Sequence, residues 1–104
     1  MSRKDAFHDV VRHALEKDGW TITHDPLILR YELGNLYIDL RAEKVLAAER
    51  AGQKIAVEVK SFLKNSAVSE FHTALGQFIS YRILLAEQYP EYVLCFAVCL
   101  YLTS

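Results

Sequence analysis

Glycine and proline are scarce: the 104 residues hold four of the first and two of the second, with no Pro-, Gly- or Ser-rich run. A linker is therefore excluded, and one domain over 1–104 with a single core is expected. The chain also lacks internal repeats, low-complexity tracts and a glycine-rich phosphate loop, so any chemistry must come from scattered side chains. Charge of neither sign is in excess. A net charge of −1 excludes the simplest signature of a nucleic-acid binder, a strongly basic surface, and leaves room for a local patch. No apolar window approaches the roughly 20 residues that span a bilayer. Met1-Ser2-Arg3-Lys4-Asp5 carries no apolar run either, so a cytoplasmic protein without membrane contact is expected. Cysteine is limited to Cys95 and Cys99. Their spacing within an apolar stretch, without a histidine cluster, points to buried thiols rather than zinc ligands.

Hydrophobic periodicity supplies what punctuation does not, in a chain that is 52% hydrophobic. Phe7, Val10, Val11, Ala14 and Leu15 fall at helical spacing, predicting a helix over Arg3–Lys17 with Ser2 as its cap and Gly19 as its stop. Trp20–Thr23 reads as a strand broken by Asp25-Pro26, and Leu27–Tyr31 as a second. Gly34-Asn35 then turns the chain into a strand carrying Asp39, making a hairpin. Ala42–Gly52 is rich in helix formers and closed by a glycine, which predicts a short helix or helical turn. A strand follows over Lys54–Lys60. Asn65-Ser66 caps a long helix over Ala67–Gln88, with Val68, Phe71, Leu75, Phe78, Ile79 and Ala86 as its buried stripe. Val93–Val98 forms a last strand whose near-continuous hydrophobicity predicts burial on both faces.

Two of these strands present acids. Because side chains alternate along a strand, Ile55, Val57 and Val59 share one face, and Glu58 and Lys60 the other, beside Ala56. In Leu36–Arg41, Asp39 lies between Tyr37 and Arg41, opposite Leu36, Ile38 and Leu40. If the strands pair, Asp39 and Glu58 share a divalent cation, since converging carboxylate oxygens are what Mg²⁺ or Mn²⁺ prefers. Lys60 then stands next to the metal, where it could deprotonate or position the attacking water, or stabilise transition-state charge. Both roles stay open, and an acid-x-Lys strand also occurs on solvated sheet faces, with the lysine as counter-ion. On the long helix, Gln77 and Tyr81 are four apart and stack on one face at the border of the apolar stripe. Arg82 falls within that stripe, near Leu75 and Phe78.

The order helix, hairpin with Asp39, strand with Glu58-Val59-Lys60, long helix and apolar strand resembles the restriction-endonuclease-like PD-(D/E)XK superfamily. More closely, the runs Ala51–Phe62 and Ser66–Phe78 look like the XisH family, the cyanobacterial fdxN element excision controlling factors. The resemblance implies an α/β fold with a mixed sheet flanked by helices. It also implies a part in DNA excision and rearrangement during heterocyst differentiation, alongside the small protein XisI. Carried onto this chain, it makes Asp39, Glu58 and the Val59 carbonyl the ligands of Mg²⁺ or Mn²⁺, with Lys60 assisting. Gln77 and Tyr81 match the Gln-x-x-x-Tyr element of RecB-type nucleases, and with Lys64 would meet DNA. His8 precedes Gly19 by eleven residues, a spacing that resembles the first-helix acid of archaeal Holliday-junction resolvases, where RecB-type nucleases carry histidine. A boundary histidine beside Leu15 is the plainer alternative. Family members continue past an Ala-Val-Pro segment into another helix and strand, whereas here Ala97-Val98 runs into Cys99–Ser104. The C-terminal elements are thus expected to be truncated, leaving the apolar Val93–Leu102 end to associate as a homodimer.

Three functions compete on this reading. The first is a metal-dependent DNA endonuclease, favoured by Asp39, Glu58, Lys60, Gln77 and Tyr81 together. The second is a catalytically silent factor that holds DNA or XisI and steers a separate recombinase, favoured by the near-neutral charge. The third is a toxin-like protein restrained by XisI, which no residue requires.

Overall fold

Helix α1 (Arg3–Lys17) forms at the predicted bounds, and Gly19 stops it by adopting φ +88°. That left-handed residue lets the Gly19 N–H donate to Glu16 and the Trp20 N–H donate to Leu15, satisfying carbonyls that the helix end would leave unpaired. Strands β1 (Thr21–His24), β2 (Arg30–Leu33), β3 (Leu36–Asp39), β4 (Val45–Arg50) and β5 (Gln53–Leu63) follow, then helix α2 (Ala67–Gln88) and strand β6 (Tyr92–Tyr101). The computed structural model describes residues 3–33, 36–39, 45–63 and 66–101. The expected Ser2 cap, the Gly34-Asn35 turn, Asn65 and the end beyond Tyr101 lie outside the described residues. Among the described residues no helix is long and apolar enough to cross a membrane.

The main sheet is mixed and four-stranded, in the order β1-β4-β5-β6. β4 runs antiparallel to both β1 and β5, while β5 and β6 are parallel. The expected hairpin exists as a separate two-stranded sheet of β2 and β3, with Arg30 opposite Asp39. Alternation along β4 and β5 sends their side chains to two cores. Leu46, Val57 and Val59 meet Phe7, Val11 and Leu15 of α1 on one face. On the other, Val45, Ala47 and Ala56 meet Tyr81 and Leu85 of α2, together with Leu27 and Leu29. Gln88 ties the far end of α2 to β2 by accepting from the Arg30 N–H at 3.1 Å and donating to its carbonyl at 2.6 Å.

Three expectations are corrected. The helix expected within Ala42–Gly52 is strand β4 wherever the stretch is described, and Ala42–Lys44 lie outside. Val45, Leu46, Ala47 and Ala48 are all buried, between β1 and β5 and under both helices. Burial on both faces outweighs helix propensities of at most about 0.7 kcal/mol per residue. Ala51 and Gly52, at φ +50° and +82°, make the two-residue turn into β5, the hairpin geometry in which both central residues take positive φ. Nothing lies within 4 Å of a Cβ built on Gly52, so Gly52→Ala is penalised by its backbone conformation alone. We expect a loss of about 1 kcal/mol, read as a fall in melting temperature of about 4–8 °C.

The second correction concerns which face of α2 is buried. Ala74, Tyr81 and Leu85 are buried, whereas Val68, Phe71, Leu75, Ile79 and Ile83 are exposed. Ser66 occupies the cap position, but its hydroxyl donates to the Glu70 carboxylate at 3.0 Å rather than to a backbone group. The third correction is β6. It is an edge strand with Val93 and Val98 exposed, not a strand buried on both faces. Cys95 and Cys99 are free and half-buried, and burial pushes the Cys95 thiol above its ordinary pKa.

Candidate functional site

Strand register decides what faces α2. Glu58 lies opposite Val45 on β4 and Phe96 on β6, and Lys60 lies opposite Val98. With Ala56 and Phe62 these residues form one rank on the α2 side of β5, since residues two apart share a face. Glu58 is fully buried at 0% exposure, and Lys60 retains 16% of its side-chain surface with Nζ 3.8 Å from Glu58 Oε1. A carboxylate in a core stays charged only where cations and donors repay its lost hydration. Lys60 is such a group, set at the border between core and solvent.

The described β4–β5 ladder ends at Val45 opposite Glu58, while β5 continues beside β6 as far as Leu63. From Val59 onward, β6 is therefore the only strand partner of β5 among the described residues.

Helix α2 covers this region with its polar side. A cleft of about 260 Å³ is lined by Lys60, Ser61 and Phe62 of β5 and by Ser69, Glu70, Thr73, Ala74 and Gln77 of α2. Gln77 thus shares the cleft with Lys60. Tyr81, one turn further, is 4% exposed and packs in the cluster that holds Val45 and Ala56, the cross-strand and same-strand neighbours of Glu58. Glu70, a second carboxylate at the cleft, was not singled out from the sequence. Its signal was present: stepping back from Tyr81 and Gln77 by helical turns gives Ala74 and then Glu70.

The other candidates are distributed differently. Asp39 ends β3, so the sheet that carries Glu58 and Lys60 does not include it, and its side chain lies outside the described residues. Lys64 also lies outside them. His8 is 6% exposed and sits on α1, whose apolar residues pack on the opposite face of the sheet from Glu58. His8 Nε2–H donates to Asp25 Oδ1 at 2.8 Å, and Arg12 donates to the other oxygen of the same carboxylate. Hydrogen bonding to Asp25 raises the Arg12 pKa further above its ordinary value. His8 and Arg12 together hold the turn after β1 against α1. Among the described residues no three His, Cys, Asp or Glu side chains converge as a metal cluster.

Comparison with known proteins matches the family described as XisH protein over residues 1–103. A crystal structure of an fdxN element excision controlling factor protein from Anabaena variabilis is 59% identical and superposes with a TM-score of 0.76, covering 90% of this chain and 68% of that one. An XisH family protein from Nostoc punctiforme is also 59% identical, with a TM-score of 0.74 and coverage of 88% and 67%. No curated protein matches the chain.

Proposed function

The chain belongs to the XisH family, that of the fdxN element excision controlling factor, and we propose that it processes DNA during excision of a genomic element. The observation that carries the chemical reading is the buried Glu58 paired with Lys60 at the mouth of the cleft that Gln77 also lines. In this reading the element order forms a restriction-endonuclease-like core, and the chain hydrolyses phosphodiester bonds. The donor present that suits a hard divalent cation is the carboxylate at Glu58. Asp39, Glu58 and the Val59 carbonyl would hold Mg²⁺ or Mn²⁺, which when bound would polarise the phosphate and acidify a water.

The remaining roles belong to side chains. Lys60 extends its ammonium from the core edge toward solvent, where it meets a phosphate oxygen or the attacking water. Gln77 and Lys64 offer donors to the DNA backbone, and Tyr81 holds α2 over Glu58. The net charge of −1 favours a second reading, in which the same face holds DNA or XisI without cleaving and a separate recombinase does the chemistry.

Incubating the purified chain with supercoiled plasmid separates the two. Nicked or linear product with Mn²⁺ or Mg²⁺, abolished by a chelator, is the expected result. Intact plasmid that is nevertheless shifted on a gel, or co-elution with purified XisI, assigns the silent role, and neither cleavage nor binding of DNA or of XisI would sink both readings.

A further inference from the structure

Helix α2 carries two kinds of side chain on different flanks. Phe71, Leu75, Ile79 and Ile83 are exposed on one. On the other, Glu70, Gln77 and Gln88 fall within about 20° of one line, because seven and eleven residues are nearly whole numbers of turns. This polar line has a cleft toward each end. Nearer the N-terminus is the cleft that Lys60 and Gln77 share. Nearer the C-terminus, His24 of β1, Arg30 of β2, and Pro26 and Ile28 between them form a second cleft of about 350 Å³ with Gln88 and Tyr89. It lies on the β1 side of α2, and β1 is the sheet edge opposite β6.

We propose that this second cleft binds the sugar–phosphate backbone of DNA, extending the line of contact that begins at Lys60. The inference rests on the DNA-processing reading given above and adds a contact which that reading leaves out. Charge is the first support. Arg30 and His24 are exposed, and no carboxylate lines the cleft. Arg30 forms no ion pair among the described residues. Asp25, which lies between the two in sequence, is already occupied, with His8 on one oxygen and Arg12 on the other. Thr23 Oγ1 lies 3.1 Å from His24 Nδ1, leaving Nε2 to meet a ligand. The register sets Arg30 opposite Asp39, so the hairpin that bears the proposed metal ligand also bears this cation.

Fixation is the second support. Gln88 holds both backbone polar groups of Arg30 and leaves the side chain to other partners. An arginine anchored in this way has less freedom to lose when its planar fork meets a phosphate. Shape is the third: Pro26 and Ile28 offer an apolar wall to a sugar, and the Tyr89 ring is held edge-on against Tyr92 at 5.8 Å. Spacing is the fourth. Gln77 and Gln88 are eleven residues apart, about 17 Å at 1.5 Å per residue. That is about five steps of 3.4 Å along one strand of a duplex, so a strand laid beside α2 reaches both clefts.

Fluorescence anisotropy of a labelled duplex of about 20 base pairs, titrated with the 104-residue chain in Ca²⁺ over a range of salt, tests this. Arg30→Gln is expected to weaken binding roughly 8-fold at about 0.1 M salt, the factor that a slope change of about 0.9 in log K against log salt produces over the decade below 1 M. The slope should fall by that amount whatever the duplex sequence, and the circular dichroism spectrum should not change. Arg30→Lys keeps the charge and should restore the slope. Lys17→Gln removes one charge from the end of α1, on the other face of the sheet, and should leave the slope as it is. An unchanged slope in Arg30→Gln, or an equal loss in Lys17→Gln, would overturn the proposal and leave the DNA-processing reading standing. A wild-type chain that binds no duplex would remove both. Arg30→Gln that loses co-elution with XisI while binding DNA normally would overturn it by giving the cleft to a protein.

Discussion

In the nuclease reading proposed above, replacing Lys60 with alanine is expected to lower metal-dependent cleavage of plasmid DNA by at least about 100-fold per folded molecule. The magnitude follows from what one positioned group contributes, on the order of 10²–10⁴ for proton transfer and 10²–10³ for charge stabilisation. Lys60 is the cation 3.8 Å from Glu58, so the variant also loosens a pair whose acid is in the core, and thermal melts must accompany the assay. Lys60→Arg divides the two roles. Arginine keeps the charge but gives up no proton near neutral pH, so partial activity points to charge stabilisation, while loss equal to that of alanine points to proton transfer. Unchanged cleavage in Lys60→Ala would remove the lysine from the mechanism.

Leu85→Ala is expected to be among the most destabilising truncations in α2. Leu85 is 2% exposed and sits among Leu27, Leu29, Val45, Ala47, Ala56 and Tyr81, so its removal leaves a void that neighbours from three elements cannot all collapse into. Buried leucine truncations cost about 2–5 kcal/mol, which in a domain of this size lowers the melting temperature by roughly 10–30 °C. Val68→Ala on the same helix, at an exposed position, should cost no more than about 0.5 kcal/mol. If Val68→Ala proved the costlier of the two, the orientation of α2 described above would be wrong.

That contrast marks where the sequence was readable. Helix bounds were legible because Phe7, Val11 and Leu15 recur at helical spacing and Gly19 closes the turn. The face of Glu58 and Lys60 was legible because alternation in a strand permits only two sides. The buried side of α2 was not. A count of apolar residues selects the arc of Val68, Phe71, Leu75 and Ile79, but the sheet beneath carries Glu58 and Lys60, and a helix covering such a surface turns Glu70, Gln77 and Tyr81 toward it. Strand β4 was hidden for a different reason. Alanine is a good helix former, yet Ala47 and Ala56 face each other under α2 because only small side chains let a helix settle there. For Asp39, the strand partner was not legible: β3 pairs with β2 in a hairpin of its own rather than with β5.

The division of α2 into two flanks makes the helix an indexed part, like a key that enters its lock at one angle only. Each added residue ahead of Ala67 would rotate everything after it by about 100°. One insertion would swing Gln77 away from Lys60 and drive Leu75 or Ile79 toward the cleft, spoiling both sides at once without disturbing the fold of any strand. The connection between β5 and α2 is therefore under a constraint of phase rather than of length. It should tolerate substitution far better than a change of one or two residues in its count, with a change of seven, close to two full turns, the least harmful.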